Sequence, residues 1–361
     1  MSLQQPKHHQ FTPFAIGLCL AIIANAQNPQ APNSIDEPVI VELHSDERPT
    51  EISEKQPPST PAQPANKVTP DNRSYTCFQL PALTRQGMLR IDGKITDPAW
   101  DLAPWSDDFI DIEGPAKPRP RFRTRMKMLW DSNSLYIAAE LQEPNVTGTI
   151  STRDSVVFHD NDFEVFIDPN GDQLNYGELE LNALNTVWDL RLPRTYSAGG
   201  QPDDGWTLHG LQTAVWVDGS LNQPASPDNG WTLEIAIPWN SLASLHLPNQ
   251  PVRRALREGS LLRGYEIVPN ETTNSSDQPA TVTMPPAPGD IWRMNFSRVQ
   301  WPEDSRDEHG KRLPGIREDN WVWSPQGVVD MHRPETWGRI TFAGPPEIKP
   351  TGYAPARIIR R

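Results

Sequence analysis

Carboxylates gather in one short stretch, His159-Asp160-Asn161-Asp162-Phe163-Glu164-Val165-Phe166-Ile167-Asp168-Pro169-Asn170-Gly171-Asp172. They stand at both ends and in the middle of an alternating run, with Phe163, Val165 and Ile167 on one face and Asp162, Glu164 and Phe166 on the other. Four kinds of chemistry use such a pattern: a catalytic acid pair, a metal site, a face that bonds a hydroxyl-rich ligand, or a solvated sheet surface. A second run, Glu178-Leu179-Glu180-Leu181-Asn182-Ala183, repeats the alternation and places Glu178, Glu180 and Asn182 on its polar face. If the two runs pair, Glu164 and Glu180 could cooperate as glycosidase carboxylates, which stand about 5–9.5 Å apart with one pKa raised. Acids on an open sheet face lack the apolar setting that raises a pKa. Neither a Ser/His/Asp nor a His-x-x-x-His arrangement accompanies them. Asp168, Asn170 and Asp172 offer oxygens at alternate positions, as a hard cation such as calcium requires, but an Asp/Asn/Gly turn uses the same residues.

The elements that position these residues are strands. Arg123–Glu143 reads as strand, polar turn at Asp131–Ser134, strand. In Gly230–Trp239, Trp231, Leu233, Ile235 and Ile237 form an inner face, with Thr232, Glu234 and Ala236 outside. Segments around Leu211–Asn222, Asp290–Val299 and Trp337–Phe342 continue the series. Many short alternating strands with turn signals between them predict an all-β fold, an antiparallel β-sandwich with long loops. Two connections, roughly 248–289 and 301–320, read as unusually long Pro/Gly-rich loops. Trp100, Trp130, Trp231 and Trp292 are expected in the core, whereas Trp206, Trp301, Trp321 and Trp323 lie in or beside loops and are the candidates for a binding platform.

The 361 residues include 39 prolines and carry a formal charge of −13. The acidic balance argues against nucleic acid as a partner, since phosphate binders carry a basic stripe. Lys7, His8 and His9 precede an apolar run, Phe14–Ala24, and Ala24-Asn25-Ala26 supplies a small-residue cleavage pattern. Residues 1–26 therefore read as a signal peptide, and the protein as secreted, periplasmic or at the cell surface. The run is too short for a permanent membrane span. Residues 27–76 are polar and Pro-rich and read as a disordered linker. The folded domain is expected over 77–345, followed by a basic tail, 346–361. Cys77 is then the single cysteine of the mature chain, so no internal disulfide forms.

The segments Leu89–Trp105 (LRIDGKITDPAWDLAPW), Met126–Leu141, Asn161–Asp172, Gly230–Trp239 and Asn320–Phe342, in that order, resemble the family 9 carbohydrate-binding modules and their relatives in the DOMON-like sandwich group. The resemblance implies a β-sandwich that binds a poly- or oligosaccharide without cleaving it, in partnership with glycan-degrading enzymes. It also implies a ring clamp of two tryptophans beside charged and amide side chains, and structural calcium. The family's ligand-binding Glu falls on Glu164, its Arg and Asn fall near Glu180 and Asn182, and its tryptophans near Phe158 and Met331, with Trp323 close to the latter. Recognition is therefore expected on Phe158, Glu164, Glu180, Asn182, Trp323 and Met331, and calcium on Asp168, Asn170 and Asp172. Some relatives in the wider group hold haem, which draws attention to Met331-His332. Adjacent residues on an extended chain point opposite ways, so a partner such as Met126, Met128 or His159 would be needed, and haem is not expected.

Overall fold

The computed structural model of the protein describes residues 72–81, 89–246, 252–259, 261–268, 282–303, 305 and 313–347. The signal segment, nearly all of the linker and most of the tail lie outside the described residues. The first strand, β1 (Ser74–Gln79), begins three residues ahead of the expected domain boundary at Cys77. Its first residues already pair with the last strand of the chain, β14 (Gly338–Ala343), Ser74 lying opposite Arg339 and Thr76 opposite Thr341.

The expected hairpin is β3 (Thr124–Trp130) and β4 (Ser134–Gln142). Its turn is set by Asp131, whose Oδ1 accepts from the amides of Asn133 (2.6 Å) and Ser134 (3.0 Å), the local bonding that favours Asp in turns. β4 pairs along its whole length with β9 (Gly230–Pro238), which pairs with β8 (Gln212–Asp218). The acidic run is β5 (Asp162–Asp168), flanked by β6 (Tyr176–Asn182), β7 (Val187–Leu192) and the long β12 (Ile291–Gln300). The strand order β7-β6-β5-β12-β14-β1-β3-β4-β9-β8 makes one sheet folded over on itself, with β13 (Asp319–Val322) joining β12 to the short β2 (Ile110–Asp111). Among the described residues pairing is antiparallel except where β1 runs parallel to both β14 and β3.

The core lies between the two halves of this folded sheet. Phe163, Val165 and Ile167 of β5 meet Leu233, Ile235 and Ile237 of β9 in one cluster with Trp130, Trp231, Trp292, Met294 and Phe296. The four tryptophans expected in the core are all buried. Three of the four expected to form a platform are buried as well: Trp206, Trp321 and Trp323 belong to the same core, the last two because β13 pairs with β12 and Trp206 because its indole bonds Ser244 Oγ (2.6 Å). Only Trp301 is half-buried.

The outer faces are covered too, which the alternation did not foretell. Glu234, expected outside, is fully buried. Its carboxylate accepts from the amides of Asp92 and Gly93 (both 2.8 Å) and from Trp100 Nε1 (2.7 Å), anchoring residues 89–103 across β9, β4 and β3. Gly93 has φ +84°, and a Cβ there would stand 2.6 Å from the Val215 backbone, so only glycine allows this approach. The connection expected as one long loop after residue 248 contains a hairpin, β10 (Val252–Glu258) and β11 (Leu261–Val268). Arg253 and Arg257 tie it to Asp203 (3.2 Å) and Asp204 (2.7 Å). A single helical turn, α1 (Trp239–Leu242), follows β9. Among the described residues no helix is long and apolar enough to cross a membrane.

Candidate functional site

Antiparallel pairing sets Glu164 directly opposite Glu180, Asp162 opposite Asn182 and Phe166 opposite Glu178. On the other side of β5, Ser297 of β12 stands opposite Glu164. Cross-strand neighbours share a face, so Asp162, Glu164, Glu178, Glu180 and Ser297 converge on the outer side of this half-sheet. One oxygen from each of Asp162, Glu164 and Glu180 lies within 4.8 Å of the others.

This face is not solvated. Phe166, Tyr176, Trp188, Leu190, Leu192, Val157 and Trp337 form a second apolar cluster over it, with Phe158 and Met331 packed against its rim. Glu164, Glu178 and Glu180 are buried and Asp162 is completely enclosed. The expectation of an open face with ordinary carboxylates is thereby corrected. Burial pushes the Glu164 carboxyl up to about 7, the nearby Ser297 hydroxyl offsetting part of the rise. Burial, followed by repulsion among the acids themselves, holds Asp162, Glu178 and Glu180 well above the carboxylate range.

The hydrogen bonds divide these residues by role. Asn182 is fully engaged: its amide donates to Ile150 O (2.8 Å) and Asp160 Oδ2 (3.0 Å), and its oxygen accepts from Leu184 N (3.1 Å) and Thr186 N (3.0 Å). It shapes the β6–β7 turn and fixes Asp160. Glu180 accepts from Phe158 N (3.0 Å), seating the covering turn Val157–His159. Asp162 accepts from Val299 N (3.2 Å) through Oδ1 only. Asp162 Oδ2 and Glu164 Oε2 are buried without a partner, and Ser297 Oγ makes no regular hydrogen bond.

The structure thus brings Phe158, Glu164, Glu180, Asn182 and Met331 to one region but leaves Trp323 out. Trp323 is 1 % exposed, stacks edge-on against Phe296 (5.9 Å) on the core side and cannot wall this face. In the Asp168–Asp172 loop, Asp168 accepts from the amides of Gly171 and Gln173 (both 2.9 Å) and Asp172 from Leu174 N (2.8 Å). Those bonds close the loop's own backbone. His332 is held by the Tyr176 hydroxyl (3.0 Å from Nδ1), and burial lowers its pKa to about 4. Met126 and Met128, two of the three suggested haem partners, sit in the central core, in a different cluster from Met331, and the third, His159, packs against Phe158 (4.9 Å).

On the far side of the Phe158–Asn161 segment lies a cleft of about 180 Å³, lined by Phe122, Asn145, Thr147, Asp160, Asn161 and Trp301, among others. Trp301 is locked by two bonds, its amide donating to Asn161 Oδ1 and its indole to Phe158 O (both 2.8 Å). The floor is a buried network in which Glu143 accepts from Trp231 Nε1 (2.8 Å) and pairs with Arg298 (3.3 Å). Asn145 Oδ1 has no partner. Asp160 belongs to both places, lining the cleft and bonding Asn182. The sequence pattern flagged Trp301 but not the amides around it, which come from loops whose meeting depends on long-range pairing.

Residues 91–256 match the family described as carbohydrate family 9 binding domain-like. No curated protein matches the chain. Similar solved structures include a family 9 carbohydrate-binding module from Caldicellulosiruptor kristjanssonii in complex with cellotriose (15 % identity, TM-score 0.42, covering 76 % of this chain and 96 % of that one). The complex of a module from the same organism with glucose covers 77 % and 100 % at the same identity and TM-score. A putative carbohydrate-binding protein from Bacteroides uniformis ATCC 8492 (15 % identity, TM-score 0.43) covers 75 % and 99 %. Residues 91–256, which hold β2 to β9 and most of β10, are thus similar to the carbohydrate family 9 binding domains.

Proposed function

We propose that the protein is a non-catalytic glycan-binding module and that it holds a sugar ring in the cleft against Trp301. The family match over residues 91–256 carries the glycan-binding class. The cleft's chemistry supports the location: a half-buried indole face suits the C–H face of a sugar, and the neighbouring amides suit its hydroxyls. Asn145 Oδ1, unpartnered within the protein, is an acceptor for such a hydroxyl. Trp301 is held before any ligand arrives, so little side-chain ordering opposes binding.

Hydrolysis fits less well. Burial supplies the raised pKa that glycosidase chemistry needs, yet Glu164 and Glu180 lie beneath the second apolar cluster, where a scissile bond has no approach. The leader-like residues 1–26 and the Pro-rich 27–76 support an extracytoplasmic module on a tether, placed beside glycan-degrading enzymes. A glycan array probed with the full-length chain tests the class. Retention of at least one poly- or oligosaccharide is expected, and a blank array from folded protein would overturn the proposal.

A further inference from the structure

We infer that Asp162, Glu164 and Glu180 form a binding site for a divalent cation of the hard, oxygen-seeking class, with calcium as its representative. Three observations converge. The first is spacing: one oxygen from each acid lies within 4.8 Å of the others. A calcium–oxygen bond is about 2.3–2.6 Å, so two ligands of one ion stand at most about twice that apart, and a single ion can reach all three.

The second is that the acids have acceptors to spare. Asp162 Oδ2 and Glu164 Oε2 are buried without any donor, and Ser297 Oγ, completely buried beside Glu164, adds a further oxygen without a regular hydrogen bond. A buried, unpaired carboxylate oxygen is costly, and a metal ion is one of the few groups that satisfies several at once. The third is charge. Among the described residues neither lysine nor arginine pairs with Asp162, Glu164 or Glu180, although the arginines of the same half-sheet are paired elsewhere, Arg191 with Asp203 (3.0 Å) and Arg298 with Glu143 (3.3 Å). Glu178, on the same face, adds a fourth carboxyl group.

The Asp168–Asp172 loop lacks this signature, because its carboxylates are engaged by its own amides. The cation site lies across the Phe158–Asn161 segment from the Trp301 cleft and does not depend on a glycan. It neutralises the acids under that segment and so fixes Glu180, which seats Phe158.

The test is calorimetric titration of calcium chloride into the full-length protein after chelator treatment, with the thermal midpoint followed in parallel. The wild type is expected to bind calcium and to gain roughly 5–10 °C in midpoint at a hundredfold excess over Kd. Glu164→Gln and Glu180→Gln conserve shape and remove buried charge, so each is expected to fold, to melt no lower than wild type in chelator, and to lose at least tenfold in calcium affinity. Asp172→Asn is expected to keep wild-type affinity. Absence of both heat and midpoint shift in the wild type would overturn the inference and leave the acids simply protonated. Calcium binding that survives both glutamine variants but disappears in Asp172→Asn would overturn it too, placing the ion in the loop.

Discussion

At the scale of single residues, the protein's least ordinary feature is four carboxyl groups enclosed on one sheet face. Their ionisation links directly to stability. For each, the folded pKa is raised above the unfolded one, so the unfolded chain loses its proton first as pH rises. The contribution is fully present below the unfolded value near 4 and is lost as pH climbs through the folded value, about 7 for Glu164. In chelator the thermal midpoint is therefore expected to be higher at pH 5 than at pH 8, as a melting series across that range would show. Glu164→Gln should flatten this dependence by removing one of the groups. A midpoint that rises between pH 5 and pH 8 would contradict the burial of these acids. Alternation identified Glu164 and Glu180 as neighbours on a polar face. It could not reveal that Ser297 joins them from a strand more than a hundred residues away, nor that apolar segments cover the face.

At the scale of elements, the strands were legible because alternation and turn chemistry are local: Asp131 marks the β3–β4 turn, and Trp231, Leu233, Ile235 and Ile237 face the core as their period requires. What covers the outer faces was not legible, since a strand's polar residue looks the same whether it meets water or a buried donor. Glu234 is the clearest case. Replacing it by alanine strands the amides of Asp92 and Gly93 and the indole of Trp100 together. With about 1–3 kcal/mol for each buried group left unpaired, Glu234→Ala is expected to cost several kcal/mol in denaturant unfolding, well beyond an ordinary surface substitution. A loss below about 1 kcal/mol would show that residues 89–103 are not anchored there. The misplaced tryptophans have the same origin. Trp321 and Trp323 sit in segments that look like loops, but β13 pairs with β12, and that pairing turns the chain inward.

At the scale of the whole molecule, the two ends of the folded domain close on each other. β1 lies between β14 and β3 and, among the described residues, is the only strand parallel to both of its neighbours, so its register cannot be set by a hairpin. Ser74–Thr76, assigned to the linker on composition, supply three of its five pairs with β14. A chain shortened to begin at Cys77 is therefore expected to melt several degrees below one beginning at Asn72, whereas equal midpoints would make these pairs dispensable. The folded sheet also presents two rival aromatic surfaces at different places. Trp301 stands in the cleft beside β12, while Trp216, 37 % exposed on the edge strand β8 with Lys94 over its ring (5.7 Å), borders a shallower depression. Edge exposure alone favours Trp216; preorganisation and neighbouring amides favour Trp301.

That choice is settled by titrating a glycan retained on the array into the full-length protein and its Trp301→Ala and Trp216→Ala variants. Loss of at least tenfold in affinity from Trp301→Ala, with Trp216→Ala within about threefold of wild type, is the predicted result, in line with about 1.4 kcal/mol per factor of ten for an aromatic contact. Affinity that survives Trp301→Ala and falls with Trp216→Ala would contradict the account and move the glycan to the edge of the sheet.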